Sequence, residues 1–163
     1  MSRPAGEKRP RRPRPGRDPL PDLTPYTGCP ADDEIGLAPL AVGWLQRGQE
    51  YPQGRPPAGF ATALLPFCLD AYRVCPLPSP PPFPLCQQAV PVINHHGQPA
   101  TLGSGELRVI GEEEIYAAPT LLYHYVTAHH YLPPEEFVAA VLSGPPAGSA
   151  EHRALIRTLQ SYR

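Results

Sequence analysis

The stretch YAAPTLLYHYVTAHHYLPPEEFVAAVL, residues 116–142, carries the most informative pattern in this chain. Its apolar side chains recur with helical spacing on both sides of the Pro133–Pro134 pair, which predicts two short helices separated by that pair. Three histidines, His124, His129 and His130, fall within seven positions of the first helix and its end. Because imidazole is a preferred zinc ligand, this stretch also indicates a metal site.

A β-hairpin is predicted immediately before these helices. Leu107, Val109 and Ile115 alternate with polar residues, and Gly111–Glu114 supply the turn. A hairpin followed by short helices indicates a small α+β domain in which the hairpin packs on the helices. A zinc-finger-like, treble-clef-like domain is one form of this architecture.

Proline shapes the remainder of the chain. It occupies 26 of the 163 positions, far above the average of about 5%. Each proline fixes φ and removes a backbone donor, so long helices and central strands are expected to be scarce. The helical spacing of Phe60, Leu64 and Cys68 predicts a helix that Pro66 kinks or splits, with Cys68 as a small buried side chain. Residues 76–91 predict an extended proline-rich loop.

Charge divides the chain unevenly. Residues 1–17 carry seven basic groups and one acidic group, a net +6, whereas residues 18–163 carry seven basic and fourteen acidic groups, a net −7. Residues 1–30 are predicted to be a disordered Arg/Pro-rich arm, because they hold too little apolar surface to offset the entropy of ordering. Residues 31–143 are predicted to form the α+β domain, and residues 144–163 a linker and a C-terminal helix.

The predicted cellular location of the protein determines the expected chemical state of its cysteines. The chain has no run of 18 apolar residues, so no membrane span is expected. The charged, proline-rich beginning lacks the apolar segment of a secretory signal, which favours a cytoplasmic location. Because the cytoplasm is reducing, the four cysteines are expected to be metal ligands or free thiols rather than two disulfides.

A tetrahedral zinc site is the leading hypothesis for the functional site. Its predicted ligands are Cys75, Cys86, His124 and His129. On a straight helix, the two histidines differ by about 140° of rotation, so the helix must loosen near its end for both to reach one metal. His130 and the His95–His96 pair are alternative ligands. Without a metal, His129 would be a core histidine and the cysteines isolated thiols.

Enzymatic activity is not expected. The chain has no HExxH, GxSxG or GxxxxGK[ST] motif, so no catalytic residue is assigned. The predicted function is a non-enzymatic interaction module that binds an unidentified protein partner. The first alternative is nucleic-acid binding, in which the arm contacts phosphates through Arg9, Arg11, Arg12 and Arg14. The simpler interpretation of the arm is a solvated extension or a misplaced start codon. A zinc hydrolase with three protein ligands and an open water position is the weaker alternative.

Two stretches resemble a family of small, uncharacterised bacterial proteins. They are GWLQRGQEYPQGRPPAGFATAL (43–64) and GSGELRVIGEEEIYAAPTLLYHYVTAHHYLPPEEFVAAVL (103–142). The family pattern runs from GWL through a short helix, an HxCxxC element and a hairpin to YAAPxLIxHYVxxHxYxPPxxF. The resemblance covers roughly residues 42–142, and it supplies no activity.

The resemblance implies a structural metal site with one ligand pair from the cysteine element and one from HYVxxH. Carried over, His124 and His129 match the histidine pair, and Cys75 matches the first cysteine. The chain departs from the pattern at Arg73, where the family has histidine, and at Pro78, where it has the second cysteine. Cys86, which follows the proline-rich insertion, then replaces the second cysteine of the family pattern.

Overall fold

The computed structural model describes residues 20–76, 85–86 and 92–162, which form short helices around two small sheets. The helices are α1 (Pro30–Glu34), α2 (Phe60–Leu64), α3 (Leu122–Ala128), α4 (Glu135–Ser143) and α5 (Ala150–Ser161), with 3-10 turns at Leu65–Cys68 and Asp70–Tyr72. The strands are β1 (Leu40–Ala41), β2 (Val92–His95), β3 (Gln98–Thr101), β4 (Glu106–Ile110) and β5 (Ile115–Pro119). The predicted α+β class is confirmed. No helix in the described ranges is both long and apolar enough to cross a membrane.

The predicted hairpin is the centre of the fold. Strands β4 and β5 pair antiparallel from Glu106↔Pro119 to Ile110↔Ile115. The short strand β1 adds to the other edge of β5 in parallel, which gives the sheet order β1-β5-β4. Strands β2 and β3 form a separate antiparallel pair.

The central sheet is covered on both faces. Because successive side chains of a strand point to opposite faces, Leu107 and Val109 lie on one side and Arg108 on the other. The first face joins the larger core, which includes Phe137 of α4. On the opposite face, Ala117 joins a smaller core with Ile156 of α5. Strand β4 is therefore buried along most of its length.

Pro66 splits the helix predicted over residues 60–68, as expected. Helix α2 stops at Leu64, and a 3-10 turn containing Pro66 continues to Cys68. The Cys68 thiol is fully buried and lies 3.8 Å from the Leu64 carbonyl oxygen. Burial raises the pKa of this thiol to about 12, so it is a packing group with little thiolate character.

The first described residues differ from the predicted arm. Residues 1–19 lie outside the described part of the chain, but Leu20, Tyr26 and Cys29 are buried. The Tyr26 ring stacks on Trp44 with 4.9 Å between ring centroids. Aromatic stacking and burial offset the entropy of ordering this segment, so the folded part of the chain begins before residue 31.

A disulfide joins Cys29 to Cys75, which corrects the expectation of metal-bound or free thiols for these two cysteines. The two Cα atoms are 6.1 Å apart although 46 positions separate the residues. The backbone of Val74 pairs with Glu106 and so brings Cys75 to the edge of β4 beside Cys29. The bond therefore ties α1 to the segment that leads into the proline-rich loop.

Arg108 is buried together with its counter-charges. Its Nη2 lies 2.7 Å from Asp32 Oδ2 and 2.9 Å from Glu106 Oε1. The Tyr26 hydroxyl donates a hydrogen bond to the second oxygen of Glu106. Burial raises the pKa of Glu106, and the neighbouring guanidinium opposes that shift. These interactions fasten α1 to the second face of the central sheet.

Helix α5 carries a buried histidine. The Ser149 side chain accepts a hydrogen bond from the His152 backbone N–H and so caps the start of the helix. The His152 ring lies between Phe67 and Tyr72, with centroid distances of 5.2 and 5.0 Å. Its Nδ1 accepts from the Gly148 N–H at 3.1 Å. Burial lowers the pKa of His152 to about 4.

We expect the buried His152 to make the domain less stable in mild acid. The unfolded chain takes up this proton near pH 6.5, whereas the folded domain resists it until about pH 4. Stability is therefore lost as pH falls through this window, by up to about 3 kcal/mol. Urea unfolding between pH 7 and pH 4 measures the slope of the free energy of unfolding against pH. His152→Asn, whose side-chain oxygen can still accept from Gly148, should flatten it.

The exposed His96 provides the matched control. His96→Asn should leave the pH dependence of unfolding unchanged, because His96 is exposed and lies outside the packing between Phe67 and Tyr72 that surrounds His152. Equal slopes for the wild type and the His152 variant would show that His152 does not resist protonation in the folded domain.

Candidate metal centre

Three predicted ligands converge beside α3, which contains His124 and is followed by His129. The Cys86 Sγ lies 3.3 Å from His124 Nε2, and the His129 Nε2 lies 3.2 Å from that same nitrogen. All three ligand atoms are within 4.8 Å of one another. This cluster, Cys86–His124–His129, contains three members of the predicted set of four.

The end of helix α3 brings the two histidines together. His124 lies within the helix, which ends at Ala128, and His129 is the C-cap residue with φ −116° and ψ 10°. The His129 backbone N–H still bonds to the Tyr125 carbonyl, but the φ and ψ of His129 depart from helical values, and the Nε2 atoms of the two rings meet at 3.2 Å. His130 follows with φ 55°, and the Tyr51 hydroxyl donates to the His129 carbonyl at 3.0 Å. The end of α3 is therefore loosened at His129 and His130, as one metal bound to both His124 and His129 requires.

Cys86 reaches the cluster from the proline-rich loop. It is half-buried, and the preceding Leu85 packs against the larger core. Cys86 is thus held against α3 by its apolar neighbour, while the rest of its loop lies outside the described residues.

Burial favours the metal-binding form of His124. The residue is only 8% exposed, and its pKa is lowered by burial and by the neighbouring His129. A lowered pKa keeps the imidazole neutral at physiological pH, so its nitrogen lone pair is available to a metal. Metal binding would additionally require the Cys86 thiol to lose its proton.

The geometry of the cluster fits a coordination centre better than a catalytic relay. In a nucleophile–base–orienter relay, the nucleophile and the orienting group use different ring nitrogens of the base. Here Cys86 and His129 lie against the same nitrogen of His124. With Zn–N about 2.0–2.1 Å and Zn–S about 2.3 Å, neighbouring ligand atoms of a tetrahedral site are about 3.3–3.6 Å apart. The observed 3.2 and 3.3 Å are close to those values.

Cys75 does not join this cluster, although it was the first predicted cysteine ligand. Its sulfur is bonded to Cys29 on the opposite side of the sheet. The disulfide sulfurs also approach the Glu106 carboxylate, which gives a second convergence of possible ligand atoms. Because the two sulfurs are bonded to each other, neither is a thiolate that could bind a metal.

The alternative ligands lie elsewhere. His130 is exposed and belongs to neither convergent group among the described residues. His95 and His96 contact each other at the β2–β3 turn, with 4.3 Å between ring centroids. The predicted nucleic-acid contacts Arg9, Arg11, Arg12 and Arg14 lie outside the described residues.

Comparison with known proteins places the candidate metal centre in an uncharacterised domain. No curated protein and no solved structure matches the chain. One family model, described as a domain of unknown function (DUF7919), matches residues 19–142. The match includes the whole Cys86–His124–His129 cluster and both disulfide cysteines. The chain therefore belongs to the DUF7919 family of domains of unknown function.

Proposed function

We propose that this domain is a zinc-binding, non-enzymatic interaction module whose metal is held by Cys86, His124 and His129. The observation that carries the proposal is the convergence of a thiol and a second imidazole on one nitrogen of His124. One sulfur and two nitrogen ligands suit zinc or copper, whereas magnesium and calcium prefer oxygen. Zinc is the expected metal because it forms tetrahedral sites with these ligands.

The proposed metal has a structural task. Cys86 lies within a proline-rich segment, and the two histidines belong to α3 and its end. A zinc ion bound to all three would fasten that segment to the larger core. Metal binding would then stabilise the fold of the domain and shape the surface around the loop, which is where we expect a protein partner to bind.

Catalysis is the less favoured use of this metal. Three protein ligands are typical of catalytic zinc sites, which keeps a zinc hydrolase as the alternative. Hydrolysis would also require a group that accepts a proton from the metal-bound water. Among the described residues, no Asp or Glu belongs to the cluster, so the interaction module is preferred.

The disulfide bears on the location of the protein. The cytoplasmic location and the bacterial source remain sequence-based predictions. Disulfides persist in oxidising compartments and are rare in the cytosol, so the Cys29–Cys75 bond favours an oxidising compartment. Nucleic-acid binding is a separate proposal that rests only on the net charge of +6 in residues 1–17.

Neighbouring histidines provide a direct test of the ligand assignment. We expect His129→Asn to weaken zinc binding by at least about 100-fold, because it removes one of three metal ligands. His130→Asn should bind zinc as the wild type does, since His130 is exposed and asparagine tolerates its positive φ. Competition with a chromophoric chelator measures both affinities. Equal zinc affinities for the two variants would contradict the assignment.

A further inference from the structure

We infer that the metal bound by Cys86, His124 and His129 keeps a fourth coordination position, which a carboxylate from outside this chain occupies. This inference rests on the proposed function, since it concerns the same metal. It identifies the chemical group that a partner or a small ligand would present to the site.

The chain supplies few groups that could close the fourth position. Among the described residues, the cluster contains only three His, Cys, Asp or Glu side chains. The loop segments 77–84 and 87–91, which flank Cys86 in sequence, contain no His, Cys, Asp or Glu at all. Outside the described residues, only Glu7 and Asp18 carry such a group. The residues next to Cys86 therefore cannot complete a tetrahedral zinc site with a side chain of the usual kinds.

The cluster is accessible from solvent. Cys86 and His129 are half-buried, whereas His124 is nearly buried. His124 thus forms the base of the site, and the other two ligands lie nearer the surface. An incoming ligand can approach the metal from that side without unfolding the core.

Charge selects the class of ligand. A zinc ion with one thiolate and two neutral imidazoles has a net charge of +1, and the flanking loop segments are uncharged. An anionic donor would neutralise the site, whereas a third imidazole would not. Carboxylate and thiolate are the anionic side chains that bind zinc. Asp and Glu are mostly exposed on protein surfaces, whereas Cys is among the most buried residue types, so a carboxylate is the expected donor.

Cobalt substitution tests this inference on the whole 163-residue chain. Cobalt(II) reports its coordination through visible d–d bands and through a thiolate-to-cobalt charge-transfer band. We expect the wild type to show the thiolate band and Cys86→Ser to lose it. Acetate, used as the carboxylate probe, should change the d–d bands saturably at millimolar concentration, while perchlorate at equal ionic strength should not.

The variant Glu7→Gln/Asp18→Asn distinguishes the two sources of carboxylate. An equal acetate response in this variant and in the wild type supports a ligand from outside the chain. A response that appears only in the variant would mean that residue 7 or 18 already occupies the position, which overturns the inference. If acetate changes the d–d bands of neither protein, the inference is overturned as well. Absence of the thiolate band in the wild type would instead refute the metal site itself.

Discussion

Replacing Arg108 by methionine is expected to lower the free energy of unfolding by about 3–5 kcal/mol, because it leaves buried charges without a partner. The guanidinium is fully buried and contacts the carboxylates of Asp32 and Glu106, which are themselves 1% and 8% exposed. Methionine fills a similar volume, so the loss should come from the charges rather than from a cavity. Chemical denaturation at pH 7 measures it.

The pH dependence separates this electrostatic cause from poor packing. Without Arg108, the folded-state pKa of Glu106 rises further, since the guanidinium is what opposes the effect of burial. A carboxyl with a raised folded-state pKa destabilises the fold mainly above its unfolded pKa. The difference from the wild type should therefore shrink as pH falls toward about 4.

Two further variants serve as controls for the Arg108 prediction. Arg157→Met removes an exposed arginine of α5 and should change stability by less than about 0.5 kcal/mol. Adding Glu106→Gln to Arg108→Met should recover part of the loss by removing one buried negative charge. A loss below 1 kcal/mol, or one that does not change with pH, would contradict the assigned role of Arg108.

Loss of the disulfide has the second large expected effect. The bond closes a loop between residues 46 positions apart, and the chain-entropy relation gives about 4 kcal/mol for a loop of this length. The double variant Cys29→Ala/Cys75→Ala should lose this amount relative to the oxidised wild type. Chemical denaturation in the presence of a metal chelator measures it without a contribution from bound zinc.

Reduction distinguishes the cross-link from side-chain packing. A phosphine reductant should lower the stability of the wild type toward that of the double variant and leave the double variant unchanged. Cys86→Ser, measured with the chelator, should respond to the reductant as the wild type does, because its disulfide is intact. If full reduction leaves the free energy of unfolding of the wild type unchanged, the disulfide does not stabilise the fold.

Local patterns predicted the elements next to the site. The alternation around Leu107 and Val109, with a glycine-led turn, indicated the β4–β5 hairpin, and the proline pair after the histidines indicated two helices. These features depend on neighbouring residues, so they can be read from a short window. His124, His129 and Cys86 were predicted as ligands because the histidines cluster in the sequence and because imidazole and thiolate groups prefer the same metal.

Long-range contacts explain what the sequence did not predict. Cys75 pairs with Cys29, which lay in the predicted arm, and no local pattern reports that the two cysteines approach each other. Likewise, alternation places Arg108 opposite Leu107, but it does not reveal that α1 and α5 cover that face. The buried counter-charge Asp32 comes from a segment 76 positions away.

Zinc K-edge X-ray absorption of the zinc-loaded 163-residue chain tests the central claim most directly. It counts the sulfur and nitrogen ligands of the metal and measures their distances. The Cys86–His124–His129 site predicts one sulfur at about 2.3 Å and two imidazole nitrogens at about 2.0 Å, with the sulfur lost in Cys86→Ser. Two or more sulfur ligands, or a shell of oxygen and nitrogen alone in the wild type, would contradict it.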